Sequence, residues 1–368
     1  MNLFTLAISN LRRRPGRSLV VSASVGLALA SSLSLVTLAD SVGRNAGESA
    51  DERGADMLVM SRNATDVFSS LISQDAGARL VSLEGIATAS GELIMFAPID
   101  HDRQNLITGW PADSFFWRDM PLVSGRVPRP GERAMILGEG TAETLHTKVG
   151  DRFTIFDETF TVVGVAGYRS AINRSMIFVL LPDLQEIAFR QGQVTMFDLQ
   201  LKPDAAPDAV KVAVERAGAF TAAPTDQMLA RDRNIQVMRA VSRSVSLIAM
   251  VMGSLSVLNT LMMAVQERTR EVGVMMAIGW SRWRTMSSIV FEGLLIGVGG
   301  CLFGVPMSFL IAIIFEHLPN VEGILTFRPT LTVLIPTLGA SIAICAIGSF
   351  YPAWRAASMS PADALRRV

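Results

Sequence analysis

Four stretches of this chain carry almost no charge, and each is long enough to cross a lipid bilayer. Residues 18–39 hold no ionisable side chain between Arg17 and Asp40, and residues 244–266 hold none between Arg243 and Glu267. Residues 285–315 contain one carboxylate, Glu292, and residues 329–354 are uncharged between Arg328 and Arg355. A helix needs about 20 apolar residues to span the hydrocarbon. Lipid offers backbone groups no water, so such a run is helical or part of a closed barrel. Barrel strands run about 10 residues with alternating polarity, a pattern these runs lack. Composition agrees: 50% of the 368 residues are hydrophobic, and mean hydropathy is +0.38. Ala28-Leu29-Ala30 resembles a signal-peptide cleavage site. The apolar run continues past it to Ala39, however, which favours a retained helix.

Arginine placement orients these spans. Arg12, Arg13, Arg14 and Arg17 precede the first, and Arg268, Arg270, Arg282 and Arg284 separate the second from the third. Arg355, Arg366 and Arg367 follow the fourth, whereas the loop after the third has only Arg328 beside Glu316 and Glu322. The positive-inside rule puts both termini and the loop 267–284 in the cytoplasm. The expected order is a cytoplasmic amphipathic lead-in helix (1–17), a first span (18–40), an outer domain (41–238) and a second span (239–266). A cytoplasmic coupling loop (267–284), a third span (285–315), a short outer loop (316–328), a fourth span (329–354) and a cytoplasmic tail (355–368) complete it.

The outer segment reads as mixed α/β. Strands are expected at 56–61, 86–99, 133–137, 152–156, 159–167, 175–181 and 197–201, with the densest strand signal between about 120 and 181. Helices are expected at 75–83, at 182–190 with a proline near its start, and at 206–217. A polar approach, 225–243, is expected to extend the second span. Trp110 with Phe115, Phe116 and Trp117 makes either core or an aromatic surface for a partner.

The cytoplasmic loop is the most informative stretch. Glu267 and Glu271 sit one turn apart, with Arg268 and Arg270 between them, as on a solvated helix face. An uncharged run follows from Val272 through Gly273 and Ala277 to Ile278, then Gly279, Trp280 and Ser281. Such an apolar patch in a cytoplasmic loop calls for cover, from a docked partner or from the chain's own helices. Gly279 suits the left-handed residue that closes a helix.

Small residues suggest close helix approach. Ser22, Gly26, Ala30 and Ser34 recur every fourth residue in the first span, and Gly293, Gly297 and Cys301 do so in the third. Either stripe could serve packing within the chain or a dimer. Glu292 is a costly group inside a span. Near the cytoplasmic end it can reach the interface, pair with an arginine, or take part in transmission.

The loop "QERTREVGVMMAIGWS" at 266–281 closely resembles the signature of MacB-like and FtsX-like permeases, membrane subunits of one ABC-transporter superfamily. Three further stretches agree: "LAISNLRRRPGRS" at 6–18, "YPAWRAASMSPADALR" at 351–366, and the outer segment 125–187, which resembles the MacB-type periplasmic core. The resemblance implies a four-span permease in the bacterial inner membrane with a periplasmic α/β domain. It implies that a separate ABC ATPase, in two copies, binds ATP and Mg and docks on the coupling residues Glu267, Arg268, Arg270, Glu271, Gly273, Ala277, Ile278, Gly279, Trp280 and Ser281. It further implies a second permease chain, expected as a homodimer across the Ser22, Gly26, Ala30, Ser34 stripe. A periplasmic adaptor or outer-membrane channel could join.

No Gly-x-x-x-x-Gly-Lys loop occurs in the chain, nor any Gly-Lys pair, so ATP binding is expected from another chain and no cofactor from this one. Gly-x-Ser-x-Gly and His-Glu-x-x-His are absent, and His101, His146 and His317 stand apart. Zero formal net charge gives no field for nucleic acid. The leading expectation is export or extraction of an amphiphilic, peptide or lipid-like substrate. An FtsX-like transmitter controlling an external hydrolase is the alternative, and a membrane-anchored enzyme or receptor without an ATPase is a third.

Overall fold

The computed structural model describes residues 7, 9–10, 12–100, 103–230, 232–316, 327 and 329–360. The start of the lead-in helix, His101, His317, Glu322, Arg328, Arg366 and Arg367 lie outside the described residues. The first helix, α1 (Pro15–Glu52), leads into β1 (Met57–Ser61), β2 (Ile72–Ser73), α2 (Ala76–Val81), β3 (Ile86–Ile99), β4 (Arg103–Trp110) and α3 (Phe115–Arg118). There follow β5 (Leu122–Gly125), β6 (Ala134–Gly138), α4 (Glu139–Thr144), β7 (Arg152–Ile155), β8 (Glu158–Ala166), α5 (Ala171–Arg174), β9 (Met176–Leu180) and α6 (Leu181–Ile187). Then come β10 (Gln193–Val194), β11 (Met196–Leu201), α7 (Pro207–Ala217), β12 (Phe220–Pro224) and α8 (Thr225–Ala230). The chain closes with α9 (Arg233–Glu267), α10 (Thr269–Ala277), α11 (Arg282–Glu316) and α12 (Leu331–Ser358).

Four helices, α1, α9, α11 and α12, are long and apolar enough to cross a membrane. Each contains one of the charge-free runs. The chain divides into two units, one of Met1–Ala39, Arg239–Phe315 and Phe327–Val368, the other of Asp40–Met238 and Glu316–Thr326.

In the membrane unit, small residues set the packing. A Cβ on Gly304 of α11 would lie 2.6 Å from the Gly26 carbonyl oxygen of α1, and one on Gly300 would lie 2.6 Å from Val25. Gly293 and Gly297 of α11 face Ser349 and Cys345 of α12 in the same way, and Gly348 of α12 faces the Ser254 backbone of α9 at 2.7 Å. Removing side chains lets backbones approach, and dispersion between them replaces the hydrophobic drive that lipid cannot supply. Val21, Val25, Val257, Leu261, Ile296 and Cys345 fill the space between these contacts.

The second unit is built on a ten-stranded sheet in the order β12-β1-β11-β3-β4-β9-β6-β8-β5, with β7 pairing β3 and β8. Pairings are antiparallel except β4 with β9 and β6 with β8. Side chains alternate along a strand, and here both faces are buried. In β9, Ile177 and Val179 enter one core while Met176, Phe178 and Leu180 enter the other. Met57 and Val59 of β1 divide from Leu58 and Met60 in the same way. The aromatic group of Trp110, Phe115, Phe116 and Trp117 lies in the second core, each at most 8% exposed, so it is core and not a surface.

Most expected elements are present within two residues at one or both ends. β4 and β12 were not anticipated. β4 opens on Arg103, Gln104 and Asn105, and β12 is "FTAAP". Both have weak strand propensity and are held by pairing, β4 to β3 and β12 to β1. Gly138-Glu139-Gly140 opens the short helix α4.

Candidate functional site: the coupling element

The α9 helix ends at Glu267, and Arg268 is the N-cap of α10. Thr269 stitches the junction, its hydroxyl donating to the carbonyls of Val265 (3.1 Å) and Gln266 (2.9 Å). At the other end, Gly279 has φ +102° and closes the helix. Its N–H donates to the Met276 carbonyl (3.1 Å), and the Trp280 N–H donates to the Met275 carbonyl (3.1 Å). This pair of bonds is the Schellman ending, and it fixes where the chain leaves α10.

The short helix has two faces. Thr269, Val272 and Gly273 are buried within the membrane unit. Arg270, Glu271, Val274, Ala277 and Gly279 are exposed, and so is Ile278, at 77%. Trp283 is exposed at 71%, and the Arg284 guanidinium lies over the Trp280 ring at 4.6 Å. The expected docking set therefore divides. Ala277, Ile278, Gly279, Arg270, Glu271 and Ser281 are accessible, whereas Gly273 is taken up by the chain's own packing.

Charged groups hold α10 in place. Arg14 and Arg17 reach Glu267 at 2.7 and 3.1 Å, and Arg13 reaches Glu271 at 3.3 Å. The two glutamates expected on a solvated face are thus paired with the basic turn at the start of α1. Exposed pairs of this kind contribute about 0–1 kcal/mol each, so they orient more than they stabilise. Arg17 also donates to the Thr260 carbonyl (3.0 Å). Glu292 is 7% exposed and pairs with Arg268 at 3.7 Å, the arginine partner among its expected alternatives. Arg268 donates in addition to the Asn10 carbonyl at 3.3 Å. A cleft of about 990 Å³ opens here, lined by Asn10, Arg13, Arg268, Glu271, Met275 and Glu292 among others.

The small-residue stripe on α1 faces α11 of the same chain. The Ser22 hydroxyl donates to the Ile296 carbonyl (3.5 Å) and the Ser34 hydroxyl to the Ser308 carbonyl (3.3 Å). Gly26 meets Gly300 and Gly304, and Ala30 is fully buried. Ser22, Gly26, Ala30 and Ser34, expected at a dimer contact, thus pack against α11 within the chain. Helical spacing identifies such a face but does not name its neighbour.

One charged group in the second unit was not anticipated. Arg53, the first residue after α1, pairs with Glu92 of β3 at 2.7 Å, and the two side chains are 6% and 0% exposed. Thr108 donates to the same Glu92 oxygen at 2.6 Å. Asp198 of β11 is fully buried beside them. The guanidinium lies 5.9 Å from the Trp110 ring and 5.4 Å from that of Phe116. Burial pushes the Glu92 carboxyl up, but Arg53, with hydrogen bonds from Asp198 and Thr108, outweighs this and holds it below the usual range. Burial, and then the Glu92 charge, push Asp198 well above the carboxylate range. Two carboxyl groups thus face one guanidinium, an arrangement that favours the neutral form of Asp198. The available sequence signal was a charged residue inside each of two strands otherwise flanked by apolar positions.

Comparison with known proteins gives two family matches. Residues 18–217 match the MacB-like periplasmic core domain, and residues 243–361 match the FtsX-like permease C-terminal domain. The macrolide export ATP-binding/permease protein MacB of Neisseria meningitidis is 34% identical over 131 residues, 35% of this chain and 19% of that protein. The MacB of Syntrophobacter fumaroxidans is 26% identical over 239 residues, 64% of this chain and 29% of that protein. The matched region thus spans between a fifth and a third of these relatives' length. The periplasmic region of MacB from Actinobacillus actinomycetemcomitans overlays with a TM-score of 0.40 at 12% identity, covering 50% of this chain and 92% of that one.

Proposed function

This chain belongs to the family of FtsX-like permeases with a MacB-like periplasmic core domain, and from that premise we propose that it is the permease subunit of an ABC transporter. A separate ATPase, in two copies, binds ATP and Mg and seats on the exposed end of α10. The observation that carries this reading is an ordered helix end in a basic loop that leaves Ile278 77% exposed, with Val274 and Trp283 beside it. Apolar surface of that kind is costly in water and fits a groove on a partner. Nucleotide-driven closure of the ATPases displaces α10, and the spans pass the movement to the periplasmic unit. That movement exports or extracts an amphiphilic, peptide or lipid-like substrate. The ten-stranded sheet supports this over a transmitter that switches an external hydrolase, because it is a large body to move.

The chain sits in the bacterial inner membrane, with both termini and the loop 267–284 in the cytoplasm. A second copy of this chain completes the permease. With the α1 stripe occupied, α9 carries the better seam. Val245, Ile248, Met252, Leu255, Asn259 and Met262 recur at alternating spacings of three and four, and Val245 through Asn259 of this set are exposed. That is the repeat of a left-handed helix pair. Among the described residues the Asn259 carboxamide makes no hydrogen bond, and a polar amide facing lipid gains most from its own copy. A periplasmic adaptor or an outer-membrane channel would extend the assembly.

The test is to express the chain with a candidate ABC ATPase from the same genome and reconstitute both in nanodiscs. Co-purification, and ATP hydrolysis that depends on the chain, are expected. An external label that modifies cysteines placed at Arg270 and Arg282 in intact cells would overturn the orientation and the mechanism with it.

A further inference from the structure

We infer that the last turn of α1, through Glu52 and the buried Arg53–Glu92 pair, is the joint by which this helix drives the outer sheet, with Arg53 as its positioning residue. The inference rests on the proposed transmission of movement through the spans.

The joint has two halves. Arg53 grips in both directions: its Nε donates to the Ser49 carbonyl in the last turn of α1 (3.3 Å), while Nη1 bonds Glu92 in β3 (2.7 Å). Glu52 makes the second half, accepting the backbone N–H groups of Arg169 and Ser170 and the Asn173 side-chain amide (3.3 Å). Asn173 closes the circuit by donating to the Ser49 carbonyl (2.9 Å) and accepting from the Ser49 hydroxyl (2.6 Å). The helix end is thus bonded to strand β3 on one side and to the segment before β9 on the other. These bonds are largely charge-assisted, and the Arg53 half is sealed from water under Trp110 and Phe116. Bonds of this kind are short and directional, and separating the buried pair leaves an uncompensated charge. The end of α1 cannot pivot on the sheet without paying that penalty.

The second span also runs between the coupling loop and the outer segment, and its outer start is held through backbone groups. The Asp232 carboxylate accepts from the Asn234 N–H (2.9 Å), and the Arg233 N–H donates to the Thr65 carbonyl (3.0 Å). The Asp232 carboxylate also accepts from the Ile235 and Val67 N–H groups, each at 3.3 Å, so these ties are to backbone groups and, among the described residues, none is a buried ion pair. At its other end α1 is tied by Arg13, Arg14 and Arg17 to Glu271 and Glu267, which flank the start of α10. One continuous helix therefore carries charged ties to the coupling element below and to the sheet above.

The experiment uses the full chain with its ATPase in nanodiscs. Nitroxides replace Val123, an exposed residue of the outer unit, in both copies of the chain, so that the movement of the outer units is read between copies. The distance between them is measured without nucleotide and with ATP and vanadate. The wild type is expected to show a nucleotide-dependent shift. Arg53→Met, similar in length but uncharged, is expected to lose the shift while ATPase association and hydrolysis continue, and Arg53→Lys is expected to restore part of it. Glu52→Gln, at the less buried half, gives a smaller shift and covers the case in which Arg53→Met fails to fold. A full wild-type shift in Arg53→Met, or in Glu52→Gln where the former does not fold, overturns the joint. No shift in the wild type overturns the proposed function, and the joint with it.

Discussion

Replacing Ile278 by aspartate tests the coupling element at its most exposed apolar point. Fully burying an isoleucine side chain contributes about 1.5–3 kcal/mol, and Ile278 is 77% exposed. Most of that contribution is therefore still to be gained on docking. Its loss, about 2 kcal/mol, corresponds to roughly 30-fold weaker association. Aspartate adds the desolvation of a new carboxylate, so 30-fold is a lower figure. The chain's own fold should hardly notice, because Ile278 follows the last turn of α10 and touches little. Titration of the detergent-solubilised chain with its ATPase measures the affinity, and thermal unfolding of the chain alone is the control. Unchanged affinity would refute docking at α10. A lower unfolding midpoint in the isolated chain would refute the claim that Ile278 is free.

Three further outcomes follow from the packing. Asp198→Asn should remove an alkaline weakness. The raised Asp198 gives stability that is full below its unfolded value and is lost as pH rises through its folded one, whereas asparagine does not titrate. The unfolding midpoint of the wild type should therefore fall relative to the variant as pH rises above the ordinary carboxylate range, and a constant difference would refute the raised assignment. Gly304→Val places a side chain 2.6 Å from the Gly26 carbonyl oxygen and should cost about 1–3 kcal/mol in the unfolding midpoint. Gly339→Ala, where nothing lies within 4 Å, should be neutral or stabilising, and equal effects would refute the contact. Asn259→Leu should weaken dimerisation in nanodiscs by about three- to twentyfold, since interhelical hydrogen bonds in lipid contribute about 0.6–1.7 kcal/mol, and an unchanged monomer fraction would refute the α9 seam.

The spans were legible because lipid imposes a rule that composition alone can satisfy. Gly279 was legible because a helix ending has a local chemical signature. Where α1 stops was not. Asp40, Arg44, Glu48 and Asp51 end the apolar run, yet the helix continues to Glu52. Charge marks the edge of the hydrocarbon and not the end of hydrogen bonding, and the Asp40–Arg44 ion pair, one turn apart, supports the extra turns. The Arg53 cluster was hidden for a different reason. Its members come from a helix end and two strands far apart in the chain, so no periodicity joins them. Likewise, spacing marked a close-packing face on α1, but only the assembled bundle shows that α11 fills it.

Contact between Gly26 and Gly304 leaves no flexible side chain to cushion one backbone against the other. A rotation of α1 alone would drive its backbone into that of α11, and only small serine side chains stand where Gly293 meets Ser349 and Gly348 meets Ser254. Within one chain, the four spans should thus tilt together as a single plate. Relative motion then falls at the plate's borders, where it meets lipid, a second copy, or the machinery on either side of the bilayer.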